Sequence, residues 1–83
     1  MAEKTIKLGE LHKGGAGIIT RVGRDEDDAA CVSRLLEMGL LEGSHVEVFH
    51  EAPFGKDPIA VKVRGSLVAL RRNEANAIEV TVL

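Results

Sequence analysis

Three histidines, one cysteine and a run of acidic residues are the side chains of this 83-residue sequence whose types suit metal binding or catalysis. His45 and His50 lie five apart on a candidate strand, so strict alternation points them to opposite faces. His50 and Glu51 together offer only two ligands, fewer than structural metal sites use. Cys31 is the single cysteine, which excludes an internal disulfide and a cysteine-based zinc site within one chain. We therefore expect no metal site and no cofactor.

The sequence contains no recognisable catalytic motif. The acidic run DEDD at 25–28 lacks the spacing of a cation-binding loop and precedes a helical pattern, where Asp residues cap helices. The glycine-rich GGAG at 14–17 precedes a strand pattern, and no Lys-Ser or Lys-Thr pair follows it as in a phosphate-binding loop. Cys31 falls in the body of the helix, where a small buried side chain is usual. No pattern pairs a nucleophile with a base, so we predict that the protein is not an enzyme.

Charge and hydropathy exclude further classes. The net charge of −2 gives no overall attraction to nucleic acid or to an anionic membrane. Basic residues are expected around one hairpin: Lys62, Arg64, Arg71 and Arg72. Single-strand binders stack bases on aromatic side chains, however, and only Phe49 and Phe54 are present. With no run of about 18 apolar residues and no apolar leader, we expect a soluble cytoplasmic protein that neither inserts into membranes nor binds nucleic acid.

One helix is predicted, at about residues 26–38. Its apolar face at helical spacing comprises Ala29, Val32, Leu35 and Leu36. The candidate N-caps are Asp25, Asp27 and Asp28. Gly39 follows as the residue that takes the left-handed conformation, and this places Leu35 against Leu40 in a Schellman motif. The helix is therefore expected to end at a sharp corner that leads directly into a strand.

Alternating or β-branched segments predict five short strands, near residues 18–22, 44–50, 59–63, 67–72 and 78–82. Residues 51–58 read as a loop because they contain two prolines and a glycine. Arg64-Gly65 is expected to form a tight hairpin turn, and Asn73 to cap one helical turn. Five strands around an aliphatic core indicate a mainly β fold, a small five-stranded barrel with one inserted α-helix and short helical turns. We expect residues 1–83 to form a single domain whose residues 1–7 are partly flexible.

Apolar side chains expected on the surface favour a protein-binding function. Phe49 alternates to the outer face of its strand, and Phe54 lies in the Pro/Gly loop. Leu40 and Leu41 are consecutive, so one of the two faces outward. Exposed apolar side chains rimmed by charge are typical of interaction surfaces. The alternative is that Phe49, Phe54 and Leu41 only cover the ends of the barrel, and the pattern leaves both interpretations open.

Three motifs in combination carry a resemblance to a known family. The first is Leu8-x-x-Leu11-x-x-Gly14 followed by Gly17-x-Ile19. The second is RLLEMGLLEGSHVEV at 34–48, and the third is EAPFGKDPIAVKVRGSLVALRRNEA at 51–75. Together they resemble the FeoA-domain family, the small cytosolic component of bacterial ferrous iron uptake, from about Leu8 to Val82. Two positions depart from the family pattern: Glu42 replaces a proline, and Gly55-Lys56-Asp57-Pro58 is one residue longer than Gly-Asp-Pro.

The resemblance implies an SH3-like barrel with an inserted helix. It also implies a non-catalytic adaptor that works with the membrane transporter FeoB, which carries a cytosolic GTP-binding domain. The same domain type occurs in iron- or manganese-responsive transcription regulators, so a small metal- or ligand-sensing module is the alternative function. From predicted exposure near the helix–barrel corner and in the Pro/Gly loop, we expect Arg34, Glu37, Leu41, Phe49 and Phe54 to contact the partner.

Overall fold

Six β-strands, two α-helices and one 3-10 turn make up residues 4–83, the part of the chain that the structure, a computed structural model, describes. The strands are β1 (Thr5–Lys7), β2 (Ala16–Val22), β3 (His45–Glu51), β4 (Ile59–Val63), β5 (Ser66–Leu70) and β6 (Ile78–Val82). The helices are α1 (Ala29–Glu37) and α2 (Arg72–Ala75), and the 3-10 turn is Leu8–Glu10. None of the helices in these residues is long and apolar enough to cross a membrane.

One antiparallel sheet holds all six strands in the order β1-β6-β2-β3-β4-β5. The predicted number of five strands is wrong, because Thr5–Lys7 pairs with β6 through Thr5↔Thr81 and Lys7↔Glu79. Ile6 in the middle of β1 packs against the core. The prediction that residues 1–7 are partly flexible stays a prediction; residues 5–7 lie in β1, while residues 1–3 lie outside the described part of the chain.

Helix α1 is three residues shorter at its start than the predicted 26–38. Asp28 is the N-cap, and its carboxylate accepts a hydrogen bond from the Ala30 N–H at 3.1 Å. The carboxylate of Asp27 instead accepts from the Arg24 N–H at 2.7 Å, which folds the preceding residues into a turn. Because these local hydrogen bonds compete with helix formation, the helix begins only after Asp28.

The end of α1 confirms the predicted corner. Gly39 has a φ of 94°, which is the left-handed conformation. The Leu40 N–H donates to the Leu35 carbonyl at 3.2 Å and the Gly39 N–H to the Leu36 carbonyl at 3.0 Å, the two bonds of a Schellman motif. Leu35 and Leu40 are both fully buried. The apolar face of α1 is narrower than predicted, however, since Leu36 is 41% exposed.

The hairpin between β4 and β5 is also confirmed. Arg64 and Gly65 both have positive φ, 52° and 83°, as a two-residue type I′ turn requires. The predicted cap of the following turn is wrong: α2 begins after Arg71 rather than at Asn73. The carboxylate of Glu74 accepts from the Arg71 N–H at 2.9 Å, and this satisfies a donor at the start of the helix.

The core is aliphatic, as predicted from the shortage of aromatic residues. Leucine, isoleucine and valine side chains from the 3-10 turn, α1 and strands β2 to β6 form one buried cluster. Both phenylalanines are exposed. Alternation along the strands separates the two faces, because Val61 and Val63 of β4 are buried while Lys62 between them is exposed. The outer face is therefore available to carry function.

Candidate functional site

The five residues predicted to contact a partner lie in two regions of the fold. Arg34 and Glu37 are in the last turns of α1, and Leu41 follows the Gly39 corner. Phe49 is in β3, and Phe54 is in the loop between β3 and β4. All five are exposed. Among the hydrogen bonds and ion pairs of residues 4–83, none links the first region to the second.

The first region contains Leu36, which the sequence pattern predicted to lie on the buried face of the helix. Leu36 and Leu41 are both exposed, and they lie on either side of the Gly39 corner in the sequence. Glu37 supplies a charge next to them. Leu35 and Leu36 are consecutive on a helix, so a single buried direction cannot hold both, and Leu35 takes it. We call Leu36, Glu37 and Leu41 the helix-end patch.

Arg34 is already engaged within the fold. Its guanidinium forms an ion pair with the carboxylate of Glu74, the same side chain that accepts from the Arg71 N–H. The pair therefore connects α1 to α2 across the molecule. Arg34 remains exposed enough to touch a partner, but part of its hydrogen-bonding capacity is used in this link between the two helices.

Phe49 lies in a β-bulge. The register between β3 and β4 shifts between Val48 and His50, so Phe49 is the extra residue on β3. Its ring is 50% exposed, and Lys62 Nζ lies 5.9 Å from the ring centroid, within range of a cation–π contact. Phe49 and Lys62 thus place an aromatic ring and a cation together on the outer face of the sheet.

The same bulge corrects the prediction that His45 and His50 point to opposite faces. His50 lies opposite Ala60, and Glu47 lies opposite Lys62. Because Ala60 and Lys62 are both on the outer face of β4, His50 and Glu47 are on the outer face of β3. His45 and His50 therefore share that face. They are about 16 Å apart along the strand at about 3.3 Å per residue, which is too far to chelate one ion. Residues 4–83 contain no group of three or more His, Cys, Asp or Glu side chains arranged to hold a metal.

Phe54 is the most exposed large apolar side chain in residues 4–83, at 90%. It lies at the tip of the 52–58 loop, which leaves β3 at Glu51 and returns at Ile59. The loop is tied to itself by the Ala52 N–H, which donates to the Pro58 carbonyl at 3.1 Å. An aromatic side chain held out in this way is typical of the anchor residues that dominate protein interfaces.

Arg72 holds the base of this loop, a role that the sequence pattern did not indicate. Its guanidinium donates to the carbonyls of Lys56 at 2.8 Å, Gly9 at 2.8 Å and Leu11 at 2.7 Å, and also to the carboxylate of Glu51. Its backbone N–H donates to the Asp57 carboxylate at 3.0 Å. We call Arg72 and these acceptors the Arg72 hub, because it joins the 3-10 turn, β3, the loop and α2.

Glu51 connects the hub to a histidine. Its carboxylate lies 3.0 Å from His12 Nδ1 and forms an ion pair with Arg72. The hydrogen bond with His12 is the main reason that the pKa of the Glu51 carboxyl is lowered, with help from the Lys13 N–H and the charge of Arg72, while burial acts in the opposite direction. The carboxylate is therefore more stable in the folded protein than in the unfolded chain.

This lowered pKa predicts a pH-dependent loss of stability at acid pH. Since the unfolded chain binds the proton more readily, the stabilising contribution of Glu51 is complete above the ordinary carboxyl pKa of about 4.3 and is lost as pH falls through the lower folded value. We expect the difference in unfolding free energy between the native protein and Glu51→Gln to shrink as pH falls from neutrality to about 3. Urea unfolding at a series of pH values measures it.

The matched control is Glu42→Gln, which neutralises an exposed carboxylate in a turn. The difference in unfolding free energy between Glu42→Gln and the native protein should stay small across the same pH range. A Glu51→Gln difference that does not change with pH would contradict the assignment.

A family model described as "FeoA domain" matches residues 6–82 of the chain. A curated "Fe(2+) transport protein A/Fe(2+) transporter FeoB fusion protein" from Porphyromonas gingivalis is 36% identical over 78 residues, which is 94% of this chain. The chain spans only 9% of the length of that relative.

Two solved structures extend the comparison. The solution structure of the FeoA protein from Chlorobium tepidum is 38% identical, with a TM-score of 0.81 over 94% of this chain and 70% of that one. The crystal structure of Stenotrophomonas maltophilia FeoA complexed with zinc, described as a procaryotic SH3 domain protein, is 29% identical, with a TM-score of 0.74 over 92% of this chain and 87% of that one. The sheet is therefore an SH3-like barrel, as predicted.

Proposed function

The chain belongs to the FeoA-domain family, and from this membership we propose that it is a non-catalytic adaptor that binds the FeoB transporter and modulates ferrous iron uptake. The observation that supports this most is the Porphyromonas gingivalis relative, in which a segment similar to this chain and an Fe(2+) transporter FeoB form one polypeptide. Fusion raises the effective concentration of one domain for another to the millimolar range. A separate chain has to reach the same contact by binding affinity.

The proposal places the chain in the cytoplasm, on the cytosolic side of FeoB, with residues 1–83 acting as one domain. Its partner is a protein rather than a nucleic acid. Iron is the cargo of the transporter in this scheme, and the adaptor acts by contact with FeoB rather than by carrying the ion.

Two exposed apolar features suit such a contact. The helix-end patch offers Leu36 and Leu41 with Glu37 at its edge, and the 52–58 loop offers Phe54. Phe49 adds a second aromatic ring on the outer face, and Arg34 adds a cation near the patch. Interfaces combine a few apolar anchors with a polar rim, which is the composition found here. We propose Leu41 and Phe54 as the anchors.

Substituting either anchor by glutamate should weaken binding to FeoB while the fold is kept. We expect Phe54→Glu and Leu41→Glu each to raise the Kd by about tenfold or more, because removal of an interface anchor costs more than about 1 kcal/mol and the carboxylate opposes burial. Calorimetry or surface-immobilised binding with purified FeoB in detergent measures the effect. Leu83→Glu is the matched control, since it places the same charge at another exposed leucine.

The proposed partner itself is tested by affinity capture. The chain carries a C-terminal tag, membranes from iron-starved cells are solubilised in mild detergent, and captured proteins are identified at two salt concentrations. Recovery of FeoB supports the proposal. Failure to recover FeoB from membranes shown to contain it counts against the proposal. An unchanged Kd in a folded Phe54→Glu or Leu41→Glu protein would remove only that residue from the contact.

A further inference from the structure

Strand β5 forms one end of the sheet and lacks the features that usually protect such an edge. It pairs with β4 in a regular register over all five residues, Ser66 to Leu70, with no bulge. Its residues are Ser, Leu, Val, Ala and Leu, so it contains no charge and no proline. Proteins commonly blunt exposed edges with lysine, proline, bulges or very short strands. The opposite end of the sheet follows that rule, because β1 has three residues and carries Lys7.

The hairpin turn decides which backbone groups of β5 face away from the sheet. In a two-residue type I′ hairpin the residues that flank the turn, here Val63 and Ser66, form a hydrogen-bonded pair. Alternation then directs the N–H and C=O groups of Leu67 and Ala69 away from β4. Within residues 4–83, the N–H and C=O groups of Leu67 and Ala69 have no hydrogen-bond partner outside the strand ladder. The edge therefore presents two donors and two acceptors in an extended backbone.

The side chains along this edge are apolar and accessible. Leu67 is 59% exposed, and Ala69 is also exposed. Leu67 lies opposite Lys62 of β4, whose ammonium group in turn contacts the Phe49 ring. An added strand would place its own side chains next to Leu67 and Ala69, and this would bury apolar surface as well as backbone.

Positive charges surround the edge. Arg64 precedes β5, Arg71 follows it, and Lys62 lies on the neighbouring strand. Among the described residues, none of these three cations takes part in an ion pair, although Arg64 Nη1 lies 3.5 Å from the Ser44 hydroxyl. The carboxylates near the edge are Glu47, opposite Lys62 on β3, and Glu74, which accepts from the Arg71 N–H and is paired with Arg34. Charge complementarity therefore favours an acidic occupant.

The same charges disfavour a second copy of this chain. Antiparallel pairing of two β5 strands would match Leu67 of one copy with Ala69 of the other, the residues whose backbone groups are available. That register brings the exposed Arg64 of one copy next to the exposed Arg71 of the other, and like charges close together across a strand pair are destabilising. An acidic segment of another protein meets no such repulsion.

We propose that β5 is a docking edge at which an extended, acidic segment of a partner protein adds to the sheet as a further strand. The Leu67 and Ala69 backbone groups would form the hydrogen bonds, and Lys62, Arg64 and Arg71 would select for acidic side chains. The inference deepens the proposed function, on which it rests for the identity of the partner, by naming how FeoB is held.

Amide hydrogen exchange tests the edge directly in the ¹⁵N-labelled native protein. The probe is a peptide of alternating valine and glutamate, blocked at both ends, with a lysine-for-glutamate peptide as its matched comparison. We expect saturating acidic peptide to slow exchange of the Leu67 and Ala69 amides by about tenfold or more, while the Val68 amide, already bonded to β4, changes little. No slowing, or equal slowing by the lysine peptide, would overturn the proposal.

A backbone variant provides a second measurement. Ala69→Pro removes one outward N–H at an edge position that tolerates proline, and Ala69→Val keeps it. We expect Ala69→Pro to weaken peptide binding about fivefold, the loss of one hydrogen bond worth about 1 kcal/mol, and Ala69→Val to bind like the native protein. Equal binding by a folded Ala69→Pro protein would also overturn the proposal.

Exchange in the presence of FeoB separates this inference from the proposed function. If FeoB does not bind the chain, the proposed function fails. If FeoB binds and the Leu67 and Ala69 amides still exchange freely, the proposed function stands and the docking edge is overturned. Slowing that grows with the concentration of the chain alone, together with dimers in sedimentation, would assign the edge to self-association instead.

Discussion

Arg72→Ala should lower the free energy of unfolding by about 3 kcal/mol, among the largest effects expected in this chain. The guanidinium donates to three backbone carbonyls and to the Glu51 carboxylate. Its removal leaves these acceptors with unmet hydrogen bonds in a partly buried site. We place the effect at the lower end of the range for broken buried pairs because 18% of the Arg72 side chain is exposed to solvent.

Urea unfolding of Arg72→Ala and Arg71→Ala, the adjacent arginine, gives the measurement and its control. Arg71 is exposed, and its contribution to α2 comes from the backbone N–H, which alanine keeps. We expect Arg71→Ala to cost no more than about 0.5 kcal/mol. Similar losses for the two variants would show that the hub is not a special source of stability.

Arg72→Lys adds a test of geometry. A lysine ammonium keeps the charge but carries its donors on one nitrogen, so it cannot reach three separate carbonyls and a carboxylate at once. We expect it to recover only the part of the stability that comes from charge. A full recovery would show that the ion pair with Glu51, rather than the set of backbone carbonyls, accounts for the effect.

Leu35→Ala is the second large effect, expected at about 3 kcal/mol. Leu35 is fully buried in the core and contacts Leu40 in the Schellman motif that ends α1. Alanine therefore opens a cavity and weakens the corner at the same time. Leu36→Ala removes the same atoms from the next position, where the residue is 41% exposed, and should cost less than about 1 kcal/mol.

Thermal and urea unfolding of the two alanine variants compare identical chemistry at neighbouring positions. The prediction requires a clear excess loss for Leu35→Ala. Near-equal losses would mean that α1 is held to the barrel mainly through other contacts, such as the pair between Arg34 and Glu74. The binding of Leu36→Ala to FeoB can be measured as well, because the helix-end patch is proposed to contact FeoB.

Features with local causes were predictable from the sequence. The end of α1 depends on Gly39 and on two leucines five residues apart, so its pattern is complete within a short window. The Arg64-Gly65 turn is similar, since the two strands that flank it alternate visibly. The exposure of Phe54 followed from prolines and glycine around it. The family resemblance drew on the same motifs.

Features that depend on distant partners were not predictable in this way. Strand β1 is three residues long and becomes a strand only because β6, at the far end of the sequence, pairs with it. The Arg72 hub joins α2 to acceptors from three other segments, and nothing around Arg72 distinguishes it from Arg71. The bulge at Phe49 reversed the expected face of His50 because alternation assumes an unbroken ladder.

The pairing of β1 with β6 has a consequence for how this domain is joined to others. Thr5 lies opposite Thr81, so the first and last strands run side by side and the chain enters and leaves the barrel at neighbouring points. A short flexible connector between them would allow circular permutation, with new ends placed in an exposed loop. A second domain attached before β1 or after β6 would likewise emerge from the same place, so the order of two fused genes would matter little to the arrangement of their products.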